Sequence, residues 1–192
     1  MSSTTIKSLK SNSLVEIGVI IVIAGLVAVI VRMFFLGLYF IPSVSMVPTL
    51  NVNDKIFVNK MSYKFHDIER GDIVVFKAPE SVRRQRVNGK RIDNLVKRVI
   101  GLPGETIEGR CKNDENQCRI DIYINNKKLN EPYVGENIIS APFSKETIPL
   151  NSFFMMGDNR GESQDSRFFG SIPEDQIIGR AFFKLWPGFS FL

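Results

Sequence analysis

The sequence has few of the residues that metal sites and many nucleophilic sites require. It contains one histidine, His66, and two cysteines among 192 residues. This supply cannot build a four-cysteine, a two-cysteine–two-histidine or an H-E-x-x-H zinc site. A Ser-His-Asp triad would depend on a single candidate base, and 14 glycines with 9 prolines are too few for a low-complexity chain. We therefore predict no metal and no cofactor.

One apolar run differs from everything else in the chain. Residues 17–31 read IGVIIVIAGLVAVIV without a charged side chain, and Glu16 and Arg32 flank them. A spanning helix needs roughly 20 apolar residues, but Glu16 suits a helix N-terminus and the Arg32 guanidinium can reach the interface. The pattern predicts one transmembrane helix over 14–32 and an interfacial linker over 33–41.

The flanking charges predict the orientation. Lys7 and Lys10 on one side outnumber Arg32 on the other, so the positive-inside rule places residues 1–13 in the cytoplasm and the rest outside it. A cleaved signal peptide is the alternative, because Ser43-Val44-Ser45 resembles a cleavage site. That site lies too far beyond the apolar run, which favours a retained anchor.

From residue 42 onward, short β-rich runs alternate with turn residues. They predict a mainly β, antiparallel domain over 42–192, with an inserted smaller β subdomain at approximately 104–150. Asn88-Gly89 and Asn125-Asn126 are the predicted hairpin turns. The predicted strands are 55–65, 72–76, 82–87, 95–100, 119–124, 152–156 and 176–186.

Cys111 and Cys118 flank a polar loop and lack the C-x-x-C spacing of redox or zinc sites. Outside the cytoplasm a structural disulfide is favoured, and two unrelated thiols are the alternative.

Positive charge is concentrated in one region. Residues 83–98 hold seven basic side chains and one acid, Asp93, within a chain whose net charge is +5. The simplest interpretation is a solvated hairpin, with anionic lipid headgroups as a second possibility and nucleic acid not expected.

Three segments could carry chemistry. Ser43 and Ser45 lie between two prolines just after the apolar region, where the backbone is restricted.

Lys97 shares a predicted strand face with Leu95 and Val99, while Arg98 points the other way. Burial can lower a lysine pKa from about 10.4 by several units, so that the neutral amine serves as a base for a serine hydroxyl. The polar segment 157–167 could brace such a lysine. Each signal alone also fits an ordinary loop or surface residue.

Together the segments resemble a family. PSVSMVPTL (42–50), GDIVVF (71–76), VKRVIGLPGE (96–105) and GDNRGESQDSRFFG (157–170), in this order after an N-terminal apolar run, are similar to the sequence boxes of bacterial type I signal peptidases. The sequence departs mildly from the family: Val44 stands where many members have Gly, and Glu105 where many have Asp.

The resemblance implies a role for each site residue. Ser45 would be the nucleophile and Lys97 the general base. Ser43 and the Ser45 backbone N–H would form the oxyanion hole, and Ser163 would orient the Lys97 amine. The implied ion pairs are Arg98 with Asp158 and Arg167 with Asp165.

The implied function is removal of N-terminal signal peptides from exported preproteins after small residues at −1 and −3. The expected partners are preprotein signal peptides, membrane phospholipid and, by proximity, the protein-export machinery. The expected location is the bacterial cytoplasmic membrane, with one span and the catalytic domain on the extracytoplasmic face. The alternatives are a conjugation-type or organellar processing peptidase, or a catalytically silent membrane-anchored β binding domain.

Overall fold

The fold is mainly antiparallel β, which confirms the predicted fold class. The computed structural model describes residues 13–34, 36–87, 89–112, 118–135, 139–186 and 188–192. Within these ranges the α-helices are α1 (Ser13–Phe34), α2 (Ser62–Phe65), α3 (Glu80–Arg83) and α4 (Ser166–Phe169), and a 3-10 helix spans Glu174–Gln176. The strands are β1 (Leu36–Phe40), β2 (Lys55–Asn59), β3 (Ile73–Lys77), β4 (Arg86–Val87), β5 (Lys90–Arg91), β6 (Asn94–Gly101), β7 (Thr106–Cys111), β8 (Ile120–Ile124), β9 (Lys127–Lys128), β10 (Phe143–Thr147), β11 (Ser152–Met156), β12 (Ile172–Pro173), β13 (Ile177–Trp186) and β14 (Ser190–Phe191).

The larger sheet has the order β1-β2-β13-β3-β6-β11-β12 along its hydrogen-bonded path, with β14 paired to β13. Strand β6 lies inside this sheet, between β3 and β11, and Lys97 is opposite Val74 of β3. Strand β3 therefore pairs directly with Lys97, and the pairing with β11 ends at the adjacent Arg98.

A second, four-stranded sheet has the order β10-β7-β8-β9. The predicted turn Asn125-Asn126 joins β8 to β9, and both asparagines adopt positive φ values, 49° and 66°. Such values suit a tight hairpin turn, and asparagine tolerates them better than most residues. Buried residues of both sheets form one apolar cluster that packs the sheets together: Ile100, Ile107, Ile122, Ile124, Ile148, Phe154 and Met156.

Two predicted strands are shorter than expected. The strand predicted over 55–65 ends at Asn59, whose side-chain oxygen accepts a hydrogen bond from Met61 N at 2.9 Å and closes a turn before α2. Within the range 82–87 only β4 is extended, because α3 begins after Pro79, whose φ of −57° is compatible with a helix start. The prediction also missed β1, β7, β10, β12 and β14.

The N-terminal apolar run forms α1, a helix of 22 residues. Its described side chains from Val15 to Val27 are exposed. Within the described part of the chain, no helix combines the length and apolar character needed to cross a membrane. The predicted transmembrane helix is therefore not confirmed. The segment with Lys7 and Lys10, and the hairpin residue Asn88, lie outside the described residues.

Candidate active site

Ser45 lies in a tight turn that follows β1. Met46 and Leu50, which are 1% and 0% exposed, anchor this turn in the core, and Leu50 N donates to Met46 O at 2.8 Å. Ser45 itself is 8% exposed. The turn therefore holds the Ser45 hydroxyl in a fixed, mostly buried position.

Lys97 reaches this hydroxyl from the larger sheet. Its Nζ donates to Ser45 Oγ at 2.6 Å, although the two residues are 52 positions apart. Lys97 is 3% exposed. This burial lowers the pKa of Lys97 from 10.5 to about 8, with Arg167 acting in the same direction and Asp165 and Asp158 opposing it.

Two buried ion pairs hold the 157–167 segment. Arg98 binds Asp158 through Nε–Oδ1 and Nη2–Oδ2, at 2.8 and 2.7 Å. Arg167 binds Asp165 through Nε–Oδ1 and Nη2–Oδ2, at 2.7 and 2.8 Å. Both pairs have two parallel hydrogen bonds, the geometry that makes arginine–carboxylate contacts directional. Thr49 Oγ1 also donates to Asp158 Oδ2, at 2.5 Å, and links the pair to the serine turn.

The 157–167 segment also binds the backbone of the serine turn directly. Asn159 donates from its backbone N to Ser45 O at 3.1 Å and from Nδ2 to Val44 O at 3.2 Å. Gly157 packs so closely that a Cβ added there would lie 2.4 Å from Ser45 O. Only glycine fits at this contact.

The two remaining serines named from the sequence both lie at the site, but in different ways. Ser43 Oγ is 3.3 Å from Ser45 Oγ, within hydrogen-bond distance. Ser163 is buried beside Gly157, and its hydroxyl has no hydrogen-bond partner among the described residues. The expected hydrogen bond from Ser163 to the Lys97 amine is thus not formed in this structure.

Sequence reasoning missed several residues that support the site. Thr49, Asn159 and Arg160 lie inside the quoted motifs, so their position was a usable signal. Glu131 and Tyr133 contact Arg160 and Arg98 from the connection between β9 and β10. No motif in the sequence marked these two residues.

A cavity of about 210 Å³ opens beside the reactive pair. Its lining is mostly apolar and comes from the chain around the end of β1 and the start of β6: Tyr39, Phe40, Ile41, Pro42, Ser43, Ser45, Met46, Ile92, Asn94, Leu95, Val96 and Lys97. Three larger cavities, of about 470, 750 and 400 Å³, include neither Ser45 nor Lys97 in their linings. Of these four cavities in the described part of the chain, the smallest is the one that adjoins the candidate chemistry.

The cysteines and the histidine lie away from the reactive pair. Cys111 and Cys118 form a disulfide with a Cα–Cα distance of 5.1 Å. His66 is exposed at the end of α2. In the described ranges, no three His, Cys, Asp or Glu side chains are grouped so that they could hold a metal ion.

A buried lysine amine in contact with a serine hydroxyl is an arrangement that can activate a serine without a histidine. A neutral amine can take the hydroxyl proton, so that the oxygen can attack a carbonyl carbon.

The comparisons with known proteins identify the family of the chain. A family model described as "Signal peptidase, peptidase S26" matches residues 14–186. The chain is 36% identical over 180 residues to the probable signal peptidase I-2 of Synechocystis sp., covering 92% of this chain and 75% of that protein. It is 41% identical over 160 residues to the signal peptidase I of Leptolyngbya laminosa, covering 82% and 72%. It is 35% identical over 193 residues to the signal peptidase IB of Staphylococcus aureus strain Mu50, covering 92% and 91%.

Among solved structures, a signal peptidase I from Enterococcus faecalis V583 aligns with a TM-score of 0.45 and 30% identity, covering 60% of this chain and 97% of the other. The family match and the relatives place the chain in the class of serine peptidases. The chain belongs to the signal peptidase family, peptidase S26.

Proposed function

We propose that this protein removes N-terminal signal peptides from exported preproteins, with Ser45 as nucleophile and Lys97 as general base. The observation that carries the proposal is the buried 2.6 Å contact between Lys97 Nζ and Ser45 Oγ. The names of the relatives, which are signal peptidases I, support the substrate class.

In the proposed reaction one proton moves between Ser45, Lys97 and the leaving group. In its neutral form the Lys97 amine accepts the proton of the Ser45 hydroxyl, and Oγ bonds to the carbonyl carbon of the scissile peptide. The resulting ammonium then gives this proton to the departing amine, which becomes the new N-terminus of the mature protein. A water molecule, deprotonated by the same amine, hydrolyses the acyl-enzyme and restores Ser45.

The tetrahedral intermediate carries a negative oxygen that needs donors. We assign this role to the Ser43 hydroxyl and the Ser45 backbone N–H, supported by the 3.3 Å separation of the two serine Oγ atoms. Ser163, buried beside Gly157, is proposed to donate to the neutral Lys97 amine after a rotation of its side chain about χ1. Its present lack of a hydrogen-bond partner among the described residues leaves the hydroxyl available for this contact.

The cavity supports the preference for small residues. The cavity lies between the end of β1 and the start of β6, and its lining is mostly apolar. Side chains at −1 and −3 of an extended peptide point to the same face and would share its volume of about 210 Å³, which favours short ones. An extended peptide placed there can form main-chain hydrogen bonds while alternate side chains point into the cavity. This accounts for small residues at both −1 and −3.

We further propose that α1 anchors the protein in the cytoplasmic membrane, with the N-terminus in the cytoplasm and the β domain outside. The exposed apolar side chains of α1 support the anchor, as do exposed apolar residues of β1 and the C-terminus: Leu38, Phe40, Phe189 and Phe191. Their position would bring the site close to phospholipid and to preproteins leaving the export machinery.

Cleavage of a preprotein by the purified full chain tests this function. Wild type should release one fragment that ends after a small residue at −1 with another at −3, as identified by mass spectrometry. Ser45→Ala and Lys97→Ala should each reduce the rate at least 10³-fold, because the dyad then lacks its nucleophile or its base.

The matched controls are Ser81→Ala and Lys77→Ala, which alter exposed residues outside the site. Both should cleave at the wild-type rate. Equal cleavage by wild type, Ser45→Ala and Lys97→Ala would reject the dyad, and no cleavage by any of them would favour a catalytically silent binding domain.

A further inference from the structure

The charged groups that act on the Lys97 amine are all close together in the sequence. Asp158, Asp165 and Arg167 influence it electrostatically, and all three lie in the 157–167 segment. The same segment holds Ser45 through Asn159 and Gly157. The position of this segment therefore controls both members of the reactive pair.

Arg160 is the residue that fastens the middle of the segment. It is 3% exposed, and its Nε donates to Gly157 O at 3.1 Å. Its own carbonyl oxygen accepts a hydrogen bond from Arg167 Nη2 at 2.8 Å. Its guanidinium binds Glu131 through two parallel hydrogen bonds, Nη1–Oε2 at 3.0 Å and Nη2–Oε1. Glu131 lies outside the 157–167 segment, in the connection between β9 and β10.

A second set of contacts from the same connection leads to Asp158, near the start of the segment. Tyr133 donates its hydroxyl to Glu131 Oε1 at 2.9 Å. The Arg98 guanidinium lies over the Tyr133 ring, 4.0 Å from its centroid, and Arg98 also binds Asp158. Glu131 thus binds the segment directly through Arg160, and Tyr133 contacts Arg98, which binds the segment at Asp158.

We propose that Glu131 is a positioning residue for the Ser45–Lys97 reaction, acting through Arg160 to hold the 157–167 segment against the reactive pair. The inference rests on the proposed function and adds to it a role for the connection between β9 and β10. That connection belongs to the part of the chain that forms the four-stranded sheet, so this sheet contributes to the geometry of the site rather than only to the apolar core.

Loss of the Glu131 carboxylate has two expected effects. Arg160 becomes a buried cation without its carboxylate partner, which destabilises the fold. The segment is also released from its outer attachment, so water gains access to Lys97 and the pKa of Lys97 rises from about 8 towards its ordinary value. The second effect distinguishes positioning from stability, since a global loss of stability lowers the folded fraction without changing the titration of the folded protein.

The test uses the full chain in detergent, with lysine labelled by ¹³C at Cε, and follows the Lys97 resonance between pH 6 and 11. Lys97→Arg assigns the resonance. The variants are Glu131→Gln and the double variant Glu131→Gln/Arg160→Gln, which removes the orphan charge without restoring the attachment. The control is Asp121→Asn, which breaks an exposed ion pair with Lys128 on the four-stranded sheet. The kcat and KM for preprotein cleavage are measured in parallel.

We expect the Lys97 pKa to rise by at least 0.5 in Glu131→Gln and in the double variant, even where the double variant regains thermal stability. In both, kcat should fall at least tenfold with KM within twofold of wild type, and Asp121→Asn should match wild type. A Lys97 titration identical in Glu131→Gln and wild type overturns the positioning role. If wild type shows no Ser45-dependent cleavage, the proposed function fails, and the titration still decides whether Glu131 positions the segment.

Discussion

Gly157 lies directly against the Ser45 carbonyl: a Cβ added to Gly157 would be 2.4 Å from Ser45 O and 2.3 Å from Ser163 Oγ. No methyl group fits at either distance. The 157–167 segment and the serine turn are therefore in contact through backbone atoms, and the glycine is required for this close approach.

We expect Gly157→Ala to reduce kcat about 100-fold, because the added methyl group pushes the segment and the serine turn apart, and misplacements near 1 Å have effects of this size. Single-turnover cleavage of a preprotein measures the change. Gly188→Ala is the matched control, since a Cβ at Gly188 meets no atom within 4 Å. Equal rates for the two variants would contradict the steric argument.

Removing one partner of the Arg98–Asp158 pair should destabilise the fold strongly. Asp158 is fully buried and the Arg98 side chain is 11% exposed. Asp158→Ala leaves this cation without its carboxylate, which typically lowers the free energy of unfolding by about 3–5 kcal/mol. Chemical denaturation gives the value. Asp121→Ala, at the exposed pair with Lys128, should leave the denaturation midpoint almost unchanged.

Burial of Lys97 lowers its pKa, as a general base requires, but should also lower the free energy of unfolding at neutral pH. Between about pH 8 and 10.5 the unfolded chain holds a proton on Lys97 that the folded protein has lost, so stability rises with pH across this window. At pH 7 the folded protein carries the buried ammonium at a cost of about 3 kcal/mol.

Lys97→Met should therefore be inactive yet more stable than wild type at pH 7, by up to about 3 kcal/mol, with the difference vanishing near pH 10.5. Urea denaturation at pH 7, 9 and 10.5 measures this trend. A variant that is less stable than wild type at pH 7 would show that the lysine does not carry this cost.

Ser43 should act on the transition state rather than on substrate binding. Loss of one oxyanion donor reduces kcat by about 10²–10³, so Ser43→Ala should show this decrease with little change in KM. Ser43→Thr retains the hydroxyl and should recover most of the rate. Steady-state kinetics on a peptide substrate separates the two constants, and a change confined to KM would remove Ser43 from the oxyanion hole.

Short β-rich runs between turn residues predicted the fold class, whereas the reactive residues were brought together through motifs rather than through local patterns. Alternation along β6 placed Lys97 on the strand face of Leu95 and Val99, which left a half-exposed lysine open, and the structure shows that Lys97 is buried. Strands β7 and β10 were missed. Their pairing depends on contacts between distant parts of the chain, and β10 is largely exposed, so it carries little apolar alternation.

Within the site, too, the sequence failed to predict contacts between distant parts of the chain. Arg98 and Asp158 were paired on the resemblance and do pair, whereas the contacts of Glu131 and Tyr133 were not anticipated. These two residues reach the site across the boundary between the two sheets, and no spacing in the sequence encodes such a contact. The hydrogen bond expected from Ser163 to Lys97 is not formed, and motif spacing does not specify the side-chain rotamer on which such a bond depends.

The pH dependence of kcat/KM for preprotein cleavage tests the central claim most directly. A lysine base with a pKa of about 8 predicts a rate that rises roughly tenfold per pH unit below pH 7 and levels off above pH 9, with the midpoint of this limb near 8. The folded fraction must be checked by circular dichroism at each pH. A profile that is flat from pH 6 to 10, measured on fully folded protein, would contradict Lys97 as the general base.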